Sequence, residues 1–320
     1  MNKKERVIAA IKKEPVDHVP CGFSLHFPKS VDTIEKTVQA HVDFFEATDT
    51  DIAKIMNENL VRSDGMISCP DDFDKIPKIT MDTDYMGNQI KLTRRIVEST
   101  GKNLFFLGTL HGICASSVHP LEQRGVEYLE ARKRVIACLR QNPTPVLRAF
   151  ERITKGMCQL VKAYIDEGVE GIYYAALGGE KELLTDEEFA KWFMPFDLKI
   201  MDTIKECGGY CFLHICKDNL NMERYRSYRT HADVVNWGIY EVPFSLEEGR
   251  EMFEGCAIMG GLPNRRGVMT DGTIEELEQE TERVVHSFGK TGFILGADCT
   301  LPTEIPYERI HKISSKIHAI

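Results

Sequence analysis

Tyr210-Cys211-Phe212-Leu213-His214-Ile215-Cys216 is an apolar run broken by a single histidine, with Gly208-Gly209 before it and Lys217-Asp218-Asn219 after it. A continuous apolar stretch between turn residues reads as a strand buried on both faces, and such strands belong to parallel sheets covered by helices. Working outward, seven further runs have the same character: Val19 to Phe27, Thr50 to Asn57, Leu104 to Leu110, Gly171 to Leu177, Val234 to Glu241, Cys256 to Leu262 and Gly292 to Cys299. Amphipathic helical patterns lie between or after them, at Val31 to Ala47, Pro143 to Glu167, Thr185 to Cys207, Ser245 to Phe253, Thr273 to Phe288 and Pro306 to Ile317. Three of these helices open with the spacing of a capping box, Thr185 with Glu188, Ser245 with Glu248 and Thr273 with Glu276.

Eight strand–helix units of about 40 residues each predict an α/β fold, a single (β/α)8 TIM barrel over residues 1–320. Residues 1–18 are expected to form an N-terminal helical cap, because Val7, Ile8 and Ile11 share one helical face and Pro15 ends it. The competing doubly wound sheet requires a glycine-rich phosphate loop after an early strand, and none is present. Gly289-Lys290-Thr291 imitates the end of such a loop, but Val284 stands where its first glycine belongs.

The 320 residues are 42% hydrophobic and 28% charged, enough for a large core. A net charge of −9 opposes binding to phosphate backbones and anionic lipid, so neither nucleic acid nor membrane is an expected partner. The start, Met1-Asn2-Lys3-Lys4-Glu5-Arg6, lacks the apolar core of a signal peptide, and a cytoplasmic location is expected. In a reducing compartment the ten cysteines are expected as free thiols or metal ligands.

Barrel chemistry sits at the C-terminal ends of the strands. His214 and Cys216 are two apart on one strand, so their side chains share a face. Cys299 closes the last strand, and closure of the barrel can bring it to the same mouth. Two thiolates and one imidazole suit Zn²⁺ with an open position for substrate, so His214, Cys216 and Cys299 are the expected metal ligands. Glu58, ending the second strand, is expected to be catalytic, as a general base, a fourth ligand or a partner to the ligands. His26, His111, Asn236 and Tyr240 line strand ends where they could hold a polar substrate, and Gly260 and Gly261 would let a ligand approach the backbone. The remaining cysteines, Cys21, Cys69, Cys114, Cys138, Cys158, Cys207, Cys211 and Cys256, lack a partner at metal spacing or face away from the mouth, and are expected as core or surface thiols.

The chain resembles the uroporphyrinogen decarboxylase superfamily over nearly its whole length, and within it the zinc-dependent methylcobamide:coenzyme M methyltransferase branch. The resemblance is carried by Arg6 to Ala10, Asp17 to Pro20, Leu184 to Phe189 with Pro195, His214-Ile215-Cys216, Gly260 to Leu262 and Cys299 to Pro306. His214, Cys216 and Cys299 match the branch's His-x-Cys…Cys metal motif residue by residue. The decarboxylases carry an arginine-rich segment after the first strand and an aspartate closing the second. This chain has no arginine between Cys21 and Phe27 and has Glu58 in place of the aspartate.

The resemblance implies transfer of a methyl group between a corrinoid (methylcobalamin) presented by a partner corrinoid protein and a small-molecule thiol activated at zinc. It leaves open the reverse direction, from a small methylated donor to cobalt(I), and a uroporphyrinogen decarboxylase-like lyase. A non-enzymatic metal- or corrinoid-binding subunit is the remaining alternative.

Overall fold

In the computed structural model, which describes residues 1–320, seven parallel strands pair in chain order around a curled sheet. The order of elements is α1 (Lys3–Ile11), α2 (Ile34–Thr48), β1 (Ile52–Ile55), α3 (Asp84–Thr100), β2 (Phe105–His111), α4 (Ile113–Glu122), α5 (Tyr128–Gln141), α6 (Pro143–Asp166), β3 (Gly171–Ala176), α7 (Asp186–Trp192), α8 (Met194–Glu206), β4 (Tyr210–Ile215), β5 (Val234–Trp237), α9 (Leu246–Met252), β6 (Ala257–Leu262), α10 (Ile274–Phe288), β7 (Phe293–Ala297) and α11 (Tyr307–His318). Every residue of β1, β3, β5, β6 and β7 is buried, as expected for strands between a packed interior and a helical layer. The chain folds as a TIM barrel with a helical cap.

One expected strand takes a different form. The run Val19–Phe27 lies along the seam between β7 and β1 without forming a regular ladder, and makes only isolated parallel bridges, Cys21 to Leu295 and Leu25 to Leu301. Pro20 has no N–H to give, and the Cys21 N–H is used by the Asp51 carboxylate at 2.9 Å. Two consecutive residues therefore withhold their donors from the ladder. The wall is held instead by single bonds, Gly22 N–H to Leu295 O, Leu295 N–H to Pro20 O and Leu301 N–H to Ser24 O, while Cys21 O accepts from both Asp51 and Ile52.

The N-terminal end of the barrel is plugged by α1. Val7, Ala10 and Ile11 join Ile52, Phe105, Leu107, Phe212, Val234, Ala257 and Ile294 in one buried cluster. Asn2 and Glu5 form a capping box that starts this helix. Arg6 anchors it by ion pairs to Asp17 and to the buried Asp51. The three capping boxes read from the sequence, at Thr185, Ser245 and Thr273, are all formed.

Candidate active site

At the C-terminal mouth of the barrel the strands open into a cavity of about 560 Å³. His214, Cys216 and Cys299 all border it, and their ligand atoms lie within 4.8 Å of one another. The two sulfurs are 4.0 Å apart. Parity delivers the first pair: His214 is the fifth residue of β4 and Cys216 follows its end, so both project to one side. Cys299 stands two residues beyond β7, where the chain has turned into the mouth.

The imidazole is held in one orientation from behind. Asn236 on β5 donates both amide hydrogens to backbone carbonyls, Met259 O at 3.0 Å and Ala297 O at 3.2 Å, which turns its oxygen towards His214. That oxygen lies 2.6 Å from His214 Nδ1 and also accepts the Tyr173 hydroxyl at 2.7 Å. An amide oxygen can only accept, so His214 Nδ1 carries the proton and Nε2 has the free lone pair. Nε2 is buried and has no hydrogen-bond partner in the protein. A buried acceptor beside two sulfurs, itself unsatisfied, is the signature of a ligand position.

The donor set fits a tetrahedral zinc ion. At Zn–S of about 2.3 Å, two sulfurs on a tetrahedron stand about 3.8 Å apart. Between the two thiols, the hydrogen bond from Cys216 holds Cys299 well below its ordinary pKa, helped by the charge of Lys54. The same bond, with burial, pushes Cys216 up.

Glu58 and His26 are across the cavity and pair with each other, His26 Nδ1 to Glu58 Oε1 at 2.7 Å. Burial raises the Glu58 carboxyl, but the hydrogen bond and charge of His26 outweigh it and leave it below its usual value. Glu58 is not part of the three-residue donor cluster. His111, at the end of β2, also borders the cavity; burial pushes its pKa down to about 4, so it is neutral, and its Nδ1 is without a partner.

Four other expected contacts stand outside the cavity walls. Asn236 is behind His214. Tyr240 lies beyond β5, which ends at Trp237 instead of running to Glu241, and its hydroxyl bonds Glu280 at 3.0 Å. Gly260 and Gly261 have positive φ, 150° and 110°. A Cβ at Gly261 would meet Val284 of α10 at 2.6 Å, and one at Gly260 would face Leu246 and Asn236, so these glycines serve strand–helix packing.

The structure adds Lys54 and Tyr173, which the sequence reading passed over, and gives a setting to Asp298 at the end of the last strand. Lys54 of β1 is buried, donates to Ser24 Oγ at 3.1 Å and sits 3.4 Å from the Tyr173 ring centroid. Burial pushes its pKa down to about 8 against the opposing pull of Cys299, Cys216 and Glu58. Tyr173 in turn stacks on His214, ring centroids 5.0 Å apart. The available signal was a lysine inside the apolar run Ile52-Ala53-Lys54-Ile55-Met56. Asp298, next to Cys299, accepts the N–H groups of Ile239 and Tyr240, and burial raises it to about 7. Away from the mouth, an open groove of about 580 Å³ runs beside α7, lined by Asp186, Arg224 and Arg226 but by no strand-end residue.

Comparison with known proteins gives three findings. The profile described as Uroporphyrinogen decarboxylase (URO-D) matches residues 61–320. The methylcobamide:CoM methyltransferase MtbA of Methanosarcina mazei is 23% identical over 243 residues, covering 76% of this chain and 66% of that relative's length. Among solved structures, a methyltransferase from Methanosarcina mazei superposes with a TM-score of 0.80 at 14% identity, over 100% of this chain and 99% of that one. A B12-independent methionine synthase from Shewanella sp. W3-18-1 reaches 0.59 at 11% identity, over 94% and 97% of the two chains. These structural likenesses concern the fold. With the profile spanning most of the sequence, the chain belongs to the uroporphyrinogen decarboxylase family.

Proposed function

We propose that this protein is a methyltransferase that moves a methyl group between a corrinoid carried by a partner protein and a small thiol, using zinc held by His214, Cys216 and Cys299. The observation that carries the reading is the buried, partnerless His214 Nε2 facing two sulfurs 4.0 Å apart. Similarity to the methyltransferase of Methanosarcina mazei supports it.

His214, Cys216 and Cys299 would hold the zinc, which would supply an open position where a thiol, with ordinary pKa near ~8.5, is stabilised as its thiolate at neutral pH. The corrinoid on the partner protein would supply the methyl group and keep the bonding pair, and the substrate sulfur held at the donor set would accept the methyl. The chain's own residues set the geometry. Asn236 and Tyr173 fix the imidazole, and neutral His111 offers a ring nitrogen to the polar part of the substrate. The cavity of about 560 Å³ opens at the C-terminal mouth, the side from which a partner would approach.

The cavity walls argue against a porphyrinogen bearing many carboxylates. They present Lys54, Lys217 and Arg265 beside Glu58, Glu122, Glu241 and Asp298, so such a substrate would find no surplus of positive charge to hold its carboxylates.

Metal analysis of the wild type beside Cys299→Ala, with an assay of methyl transfer from methylcobalamin to a thiol, tests the proposal. The wild type is expected to hold about one zinc per chain and to methylate the thiol, and the variant to lose most of both. Equal zinc and equal activity in the two proteins would refute it.

A further inference from the structure

Lys54 is buried in the barrel wall, yet it forms no ion pair with a carboxylate. Its contacts are a hydroxyl, Ser24 Oγ at 3.1 Å, and the face of Tyr173. The groups whose negative charge draws on it are, in order, the sulfur of Cys299, that of Cys216 once it is ionised as a ligand, and Glu58. Lys54 and Cys299 border the same mouth cavity, and both also line a small void beneath it. Burying an ammonium without a carboxylate partner is costly, so its retention at this spot calls for a charge that completes it.

We propose that Lys54 is the counter-charge for a substrate thiolate bound at the His214–Cys216–Cys299 donor set, a positioning residue that makes the mouth select an ionised thiol. The inference rests on the zinc-thiolate reading above. The charge count supports it. Two cysteine thiolates cancel the +2 of zinc, so metal uptake by the Cys299 thiolate and the Cys216 thiol, with release of one proton, takes the site from one negative charge to neutral. Ligation of a substrate thiol with release of its proton adds one negative charge. A fixed positive charge nearby therefore acts on the two equilibria in opposite senses, favouring thiolate ligation and opposing metal uptake.

Tyr173 makes the placement rigid. Its ring lies under the ammonium and stacks on His214 at 5.0 Å, while its hydroxyl is pinned by Asn236. The charge is thereby held at a fixed offset from the imidazole, as a preorganised electrostatic site requires.

The test separates the two equilibria. The protein is loaded with Co²⁺ in place of zinc. Metal affinity is read by competition with a chromophoric chelator, and 2-mercaptoethanol affinity by sulfur-to-cobalt charge-transfer absorption. Lys54→Met and Lys54→Gln are expected to bind the metal at least as tightly as the wild type while weakening thiol binding by roughly tenfold or more, the equivalent of one pKa unit or more. Lys54→Arg is expected to restore thiol binding towards the wild-type value. Unchanged thiol binding in the Met and Gln variants overturns the inference, and so does parallel loss of metal and thiol, which marks a purely structural lysine. A wild type that takes up neither zinc nor cobalt overturns the metal reading itself, and with it this one.

Discussion

Asn236 shows how much of the site depends on a residue that stands behind the cavity wall. Its two amide hydrogens are committed to Met259 O and Ala297 O, so its oxygen has no freedom to turn away from His214. Replacing it with alanine removes the acceptor that selects the tautomer. Asn236→Ala is therefore expected to weaken zinc binding by roughly 10- to 100-fold while the fold is retained, measured by chelator competition alongside circular dichroism. The sequence placed Asn236 among substrate contacts because it closes a strand; what it could not show was which way the amide points, since Met259 and Ala297 are distant in the chain. The His214–Cys216 pair was legible because parity along a strand is a local property. Lys54 was not, because an isolated lysine in an apolar run acquires meaning only once closure sets it over Tyr173.

At the scale of elements, the short helix α9 turns a general preference around. Gly249 lies inside it, and alanine there would ordinarily gain about 1 kcal/mol of helix propensity. A Cβ at Gly249 would fall 1.9 Å from the ring of Trp237, which is fully buried on β5, and 2.4 Å from a second ring atom. Neither the indole nor the helix can yield without disturbing the contact with β6. Gly249→Ala is expected to destabilise the protein by about 1–3 kcal/mol, read as a lower urea midpoint at unchanged slope. The capping boxes of α7, α9 and α10 could be read directly, since each is a local pattern of two side chains and two amides. The first strand could not. The Asp51 carboxylate that takes the Cys21 N–H comes from the next strand's entrance, and no local rule announces it.

For the molecule as a whole, the helical layer is tied to the barrel by a buried carboxyl. Asp197 of α8 accepts the hydroxyls of Tyr174 on β3 and Tyr228 in the turn Met222–Thr230, and burial raises its pKa from 3.8 to about 6. A carboxyl raised on folding favours the native state fully below its unfolded value, and that advantage is lost as pH climbs through the folded value. Asp197→Asn has no such titration. The stability advantage of the wild type over this variant is expected to shrink by about 2 kcal/mol between pH 4 and pH 7, measured by urea unfolding of both proteins at each pH. The architecture at this scale was legible from alternating apolar and amphipathic segments, because the period of burial is written into the residues themselves. The tie through Asp197 was hidden, since it joins three elements that only the closed ring brings together.

The seam along Val19–Leu25 has a mechanical consequence. A ring of staves laced everywhere but at one joint will part at that joint first, and the few backbone bonds there are spread over residues 20–25. Ser24, which steadies the buried ammonium, sits on one lip; Leu301, just past Cys299, sits on the other. Any slackening of that clasp alters the spacing of cation and sulfur before it costs the barrel its shape.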